Sequence, residues 1–162
     1  MTKKSAGILL YRLKNSFPEV LLAHPGGPFF VKKDLGVWTI PKGEYTDAEE
    51  PLEAAKREFK EETGMYVNGE FIALTPVKLK SSKTVNAWAI QGDIDPTKIK
   101  SNLFELEWPP KSGLIKHFPE IDKAEWFNTD DAKEKINPGQ IGFIEQLEVM
   151  LNKSKPQTIN QI

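Results

Sequence analysis

Residues 43–65 read GEYTDAEEPLEAAKREFKEETGM, and the segment Pro51 to Thr63 within them is the strongest helical pattern in the chain. Proline fits a first helical position because its missing N–H has no partner there in any case, and Gly64 suits the residue that follows a last turn. Leu52, Ala55 and Phe59 share one face and form an apolar stripe. Glu58, Glu61 and Glu62 stand at i, i+3 and i+4, so three carboxylates leave the helix within an arc of about 100° beside that stripe. Two rules oppose them. Like charges at i, i+4 destabilise a helix by roughly 0.2–0.5 kcal/mol, and acids in a last turn face the negative end of the helix dipole. A bound cation offsets both penalties. Carboxylate oxygens are hard ligands suited to Mg²⁺, Mn²⁺ or Ca²⁺, and a phosphate substrate favours Mg²⁺. Three glutamates alone fit a solvated charged face as well, so the residues around them must decide.

The composition narrows the choice. Of 162 residues 39% are hydrophobic, with nine Phe, four Trp and three Tyr, enough for one compact core. A single domain over 1–152 is expected, followed by a polar, disordered tail over 153–162. Twenty-two basic residues against twenty-three acidic ones give a formal net charge of −1. Bulk electrostatic attachment to nucleic acid is therefore not expected, and any phosphate-binding charge must be local. The absence of cysteine excludes disulfides, iron–sulfur clusters and Cys-based zinc sites, and only His24 and His117 could serve as imidazole ligands. Lys3 and Lys4 precede the apolar run Ala6 to Tyr11, but that run is too short for a secretory signal and no segment approaches the roughly 20 apolar residues of a membrane span. The expectation is a cytoplasmic protein with no membrane partner. Its oligomeric state is open.

Working outward, 5–12 and 18–24 read as two strands joined by a turn, and 25–36 as a surface loop rich in Gly and Pro. Val37 to Ile40 reads as a short strand stopped by Pro41-Lys42-Gly43. Beyond the helix, 69–80 and 83–92 suggest a hairpin around Ser81-Ser82. The stretch 93–113, with its Asp-Pro and Trp-Pro-Pro elements, reads as a long loop on the substrate side. Lys123 to Asn128 is a further strand, and Ile141, Ile144, Leu147 and Leu151 place a closing helix over 140–151. No internal repeat is present.

Reading forward from Gly43, five residues lead to Glu49, seven more to Arg57-Glu58-Phe59-Lys60-Glu61-Glu62-Thr63-Gly64-Met65. This resembles the Nudix box, Gly-x5-Glu-x7-Arg-Glu-U-x-Glu-Glu-x-Gly-U with U a bulky apolar residue, at every specified position. The resemblance implies an α/β fold, an α/β/α sandwich around a central mixed sheet, with the box as a loop-helix-loop catalytic unit. It also implies divalent ions held by Glu58, Glu61 and Glu62, often joined by the carbonyl of Gly43, with Mg²⁺ the expected cofactor and Mn²⁺ a substitute. Glu49, in the loop before the helix, can fold back to Arg57, which makes Arg57 a brace within the catalytic set rather than a substrate ligand. Glu53, four residues before Arg57, reads as a routine surface partner. For the base that deprotonates water there are two candidates. One is Glu61; the other is Glu120, because 119–127 resembles the family segment in which a glutamate precedes a Trp-containing strand by six residues. A plain loop glutamate is the competing reading of Glu120.

The stretch Trp38 to Glu44 is similar to the approach to the box in asymmetric diadenosine tetraphosphate hydrolases and their bacterial relatives. That likeness implies a small-molecule nucleotide substrate, a dinucleoside polyphosphate such as diadenosine tetraphosphate. Alternatives are a nucleoside triphosphate pyrophosphohydrolase, an RNA 5′-pyrophosphohydrolase and a non-catalytic nucleotide-binding regulator. Lys42 is a candidate phosphate contact, and His24 another. Lys32, Lys33, Lys80, Lys83, Lys111 and Lys116 read individually as surface charge, and Trp38 as core. Phe29, Phe30 and Trp108 are aromatics on loops, where stacking platforms for adenine occur.

Overall fold

A computed structural model describes residues 3–154. Its centre is β1 (Lys4–Lys14), whose Ala6, Ile8 and Leu10 are buried on one face and Leu9 and Tyr11 on the other. An unbroken apolar run is what a strand covered on both sides requires. β1 pairs in parallel with β6 (Thr84–Gln91) along most of its length. Its other edge is divided. Tyr11 to Lys14 pair antiparallel with β2 (Phe17–Pro25), and Ser5 to Gly7 pair antiparallel with β3 (Lys42–Glu44). Asn15 and Ser16, with φ of 52° and 70°, make the two-residue turn between β1 and β2.

β9 (Ile121–Asn128) pairs with the outer edge of β2, while β4 (Ile72–Ala73) and β5 (Val77–Lys78) pair with β6. The main path β4-β6-β1-β2-β9 is thus a mixed sheet. α1 (Pro51–Thr63) covers one face through Ala54, Ala55 and Phe59; α2 (Thr129–Lys135) and α3 (Ile141–Ser154) cover the other through Ala132, Phe143, Ile144 and Leu147. This is the expected α/β/α arrangement. α1 has the expected ends: Pro51 in its first turn and Gly64 in the left-handed region at φ 74°, its N–H donating to the Lys60 carbonyl at 2.7 Å.

Four expectations change. Residues 37–40 are not a strand. Trp38 and Thr39 instead make isolated bridges to Ile136 and Ala23, because this segment threads between the diverging ends of β1 and β2 and has a partner on each side. Pro41 to Gly43 do not stop the chain either: Ile8 donates to the Pro41 carbonyl (3.1 Å) and β3 continues the pairing. Gly7 permits this, since a Cβ there would lie 2.6 Å from the Pro41 carbonyl oxygen. The 69–80 segment splits into β4 and β5 around Pro76, which has no N–H to give a ladder.

The largest change is in 93–113, which is not an irregular loop. It holds β7 (Leu103–Glu107), paired antiparallel with β8 (Ile115–Pro119) as a separate two-stranded sheet. The alternation Leu103-Phe104-Glu105-Leu106-Glu107 carries the strand period, and Phe104 and Leu106 are the half-buried members. α2 was not expected; Asn128 caps it by accepting from the Asp131 N–H at 2.8 Å. α3 runs two residues into the stretch expected as tail, and 155–162 lie outside the described residues. Among the described residues no helix is long and apolar enough to cross a membrane.

Candidate active site

α1 lies over β1, β3 and β6, so its last two turns deliver their acids beside β3. The result is an open cavity of about 430 Å³ lined by Lys42, Gly43, Glu44, Glu58, Glu61, Glu62, Asn102 and Glu120. Gly43 is required by packing: a Cβ there would stand 2.1 Å from the Glu58 carboxylate. The Lys42 N–H donates to Glu62 Oε2 at 3.2 Å, fixing the last glutamate of the helix against β3. The far wall is tied on by backbone. Asn102 N–H donates to the Glu61 carbonyl and Glu120 N–H to the Asn102 carbonyl, each at 2.9 Å. Glu120 sits at the joint between β8 and β9, beside the register irregularity at His24/Pro25. The three box glutamates and Glu120, far apart in sequence, therefore share one cavity.

Arg57 is the brace. Its Nε and Nη2 grip both oxygens of Glu49 at 2.7 and 2.9 Å, a two-pronged pair that closes the loop onto the helix. Nη1 reaches Glu58 Oε1 (2.8 Å) and Glu61 Oε2 (3.1 Å). These three glutamates raise the pKa of Arg57 further. Glu53 pairs with Lys56 at 3.3 Å rather than with Arg57.

The carboxylates are held under electrostatic tension. Glu62 is only 7% exposed. Burial, with Glu58 adding repulsion, pushes its pKa up to about 8, against the opposing pull of Lys42. Burial also raises Glu58 and Glu120. Lys42 has no ion pair within salt-bridge distance among the described residues; burial and then Lys83 push its pKa down, while Glu62, Glu44 and Glu58 pull it back.

This donor set fits a divalent cation. Glu58 Oε2, Glu61 Oε1 and Glu62 Oε1 carry no hydrogen bond among the described residues, so each glutamate offers one oxygen to the cavity. Among the described residues no trio of acidic or imidazole groups converges on one point as the chain stands, and Arg57 Nη1 bonds to both Glu58 and Glu61. Releasing Nη1 would free those two carboxylates and leave the grip on Glu49 intact.

Other expected contacts fall outside this cavity. His24 is corrected outright: it is 2% exposed, its Nδ1 is 2.8 Å from Asp122 and its Nε2 is 2.7 Å from the Lys33 carbonyl. With both nitrogens engaged it has nothing to offer a substrate. Trp38 is core, as expected, its Nε1 donating to Asp34 at 2.8 Å. Phe30 packs under Lys33. Phe29 and Trp108 meet edge to face, centroids 5.3 Å apart, on the loop and hairpin beyond the cavity. Lys83 is paired with Glu44 at 3.1 Å. Sequence reading missed Glu44 and Asn102 as cavity residues. Adjacency to Gly43 was a signal for the first, but nothing local marks the second.

The NUDIX domain family model matches residues 1–147. A search of curated protein sequences finds no match. Among solved structures, a binary complex of the Caenorhabditis elegans Ap4A hydrolase superposes with a TM-score of 0.65 at 20% identity, covering 94% of this chain and 99% of that one. The NUDIX domain of Shewanella oneidensis NrtR, complexed with ADP ribose, superposes with a TM-score of 0.65 at 13% identity, covering 93% and 89%. The Escherichia coli ORF135 protein gives 0.56 at 18%, covering 96% of each chain. At these identities the likeness shows the fold. With the family match spanning nearly the whole chain and the box side chains gathered in one cavity, the protein belongs to the Nudix family, a hydrolase of pyrophosphate bonds.

Proposed function

We propose that this enzyme hydrolyses a phosphoanhydride bond of a dinucleoside polyphosphate such as diadenosine tetraphosphate, using Mg²⁺, for which Mn²⁺ can substitute. The observation that carries the reading is one cavity lined by three glutamates, each with an oxygen that has no hydrogen bond among the described residues, flanked by Glu120 and by the ammonium of Lys42, which has no ion pair among those residues. Glu58, Glu61 and Glu62 hold the ion, with Gly43 against them. When bound, the cation neutralises phosphoryl charge and acidifies the attacking water. Lys42 contacts a phosphate oxygen as a point charge.

Water adds to one phosphorus while the anhydride P–O bond breaks and the phosphate leaving group departs. The carboxylate of Glu120, raised in pKa by burial and free of ion pairs among the described residues, accepts the proton. Glu61, which Arg57 engages, serves as ligand rather than base. The choice of a dinucleoside polyphosphate rests on the Trp38 to Glu44 approach and on whole-chain likeness to a protein named as an Ap4A hydrolase. A non-catalytic regulator would have little use for such a costly acidic set.

The test is incubation with Mg²⁺ and a panel of dinucleoside polyphosphates, nucleoside triphosphates and 5′-triphosphorylated RNA, followed by product identification. Mononucleotide products from a dinucleoside polyphosphate are expected. Turnover confined to nucleoside triphosphates or RNA ends would replace this substrate assignment.

A further inference from the structure

His24 is a buried titratable side chain with no part in holding metal or phosphate, and it sits where β2 and β9 break register beside Glu120. His24 pairs with Lys123 and Pro25 with Ile121, so Asp122 is one residue too many on β9 and forms a bulge. That bulge decides a direction. Ala23 and Pro25 are two apart on β2 and share a face, so their partners Ala124 and Ile121, three apart on β9, share it as well. Removing the extra residue would turn Ile121, and with it the adjoining Glu120, to the opposite side of the sheet. His24 holds the bulge in place. Its Nδ1 is 2.8 Å from Asp122 Oδ1, and its Nε2, 2.7 Å from the Lys33 carbonyl, ties the same ring to the loop whose Gly26 N–H donates to the Glu120 carbonyl.

Both contacts need hydrogen. The Lys33 carbonyl can only accept, so Nε2 must carry one; an ionised Asp122 can also only accept, so Nδ1 must carry another, and a protonated Asp122 donates to Nδ1 instead. In either case the pair holds two protons. Withdrawing one leaves a lone pair facing an acceptor at Lys33 or at Asp122, so one of the two ties must break. The charged groups around this corner are Asp122 and Lys123 of β9, Asp34 and Lys33 of the loop, and Lys135 of α2. Lys123 lies over the Trp38 ring that meets His24 edge to face, and Asp34 is engaged by Trp38 and Lys135. We propose that His24 and Asp122 are positioning residues for Glu120: while the pair holds two protons it fixes the bulge and the loop that aim the Glu120 carboxylate into the cavity, and losing one as pH rises releases it. The proposal rests on the reading of Glu120 as the base. An amide at position 122 removes the pH dependence, since its NH2 donates to Nδ1 while a neutral ring still donates from Nε2 to Lys33.

The test is steady-state kinetics between about pH 6 and about pH 9.5, with Mg²⁺ and whichever phosphoanhydride substrate the enzyme turns over, for wild type, His24→Gln, Asp122→Asn and Glu120→Gln. Circular dichroism reports whether each variant is folded. Asp122→Asn is expected to keep its kcat at the alkaline end, where wild type declines. His24→Gln, whose one NH2 cannot serve two acceptors on opposite sides, should lose about 10- to 100-fold in kcat at every pH, with KM within about twofold of wild type. A wild-type profile that is as flat as that of Asp122→Asn, or that declines in step with it, would overturn the proposal, and so would full kcat in His24→Gln. If His24→Gln does not fold, the wild-type and Asp122→Asn profiles decide alone. Normal turnover in Glu120→Gln would sink the base assignment and this proposal with it. An inactive Glu120→Gln beside a fully active His24→Gln would overturn this proposal alone.

Discussion

The two faces of the sheet are built to different ends. On the α3 face, Trp38, Ile136, Phe143, Ile144 and Leu147 are close to fully buried, and the buried Gln140 is satisfied: its Oε1 accepts from Ile40 N–H at 3.1 Å and its Nε2 donates to Thr39 at 2.9 Å. On the α1 face the helix contributes two alanines and one phenylalanine to the core, and its buried Glu62 sits beside Glu58 with a raised pKa. One face gives up nothing to function. The other holds the buried Glu62 against the half-buried Glu58, a repulsion that Arg57 and Lys42 offset only in part, so stability and chemistry are divided between the two sides of one sheet.

The largest effect that would break this division is catalytic. Glu61→Gln should lower kcat by roughly a thousandfold, with its melting temperature within a few degrees of wild type; near-normal turnover would remove Glu61 from the site. On the opposite face Phe143→Ala should cost about 3–5 kcal/mol in urea unfolding, yet leave kcat per folded molecule unchanged. A drop in kcat there would show that the faces are coupled. Arg57→Lys sharpens the boundary, because an ammonium cannot grip both oxygens of Glu49 while touching Glu58 and Glu61; about a 10- to 100-fold loss of activity is expected from steady-state assays.

The smallest effect concerns pH. The folded chain holds the Glu62 proton to about pH 8, well above the ordinary carboxylate value of 4.5. Between those values the folded state binds more protons than the unfolded one. Its contribution to stability is therefore present below the lower value and is lost as pH rises towards the upper. In EDTA, Glu62→Gln should lack this decline and melt several degrees above wild type at pH 9, while matching it at pH 4. Parallel melting curves across that range would show that Glu62 bears no such burden.

Much of the site's geometry was legible because the box compresses it into 23 residues whose spacing translates directly into helix geometry. Glu58, Glu61, Glu62, Gly43 and the Glu49–Arg57 pair could all be placed from sequence alone. Glu120 was found only through its distance from Trp126. Asn102 was not found, since its role comes from backbone bonds to Glu61 and Glu120 that no local pattern encodes. The β7–β8 hairpin was hidden for a related reason: its period-two alternation is flanked by Asp95-Pro96 and Pro109-Pro110, which read as loop. His24 misled because a histidine near a glycine-rich loop looks available until Asp122, nearly a hundred residues later, turns out to hold it.

Relief of the strain on the α1 face by a divalent ion is the property on which the proposed chemistry depends. Its most direct test is the melting temperature at pH 8, with and without millimolar Mg²⁺, for wild type and for a Glu58→Gln, Glu62→Gln double variant. Wild type should gain several degrees on adding Mg²⁺ and lose them in EDTA, as selective binding to the folded state requires, and the double variant should start higher and not respond. A wild-type protein that melts at the same temperature in Mg²⁺ and in EDTA would contradict the claim.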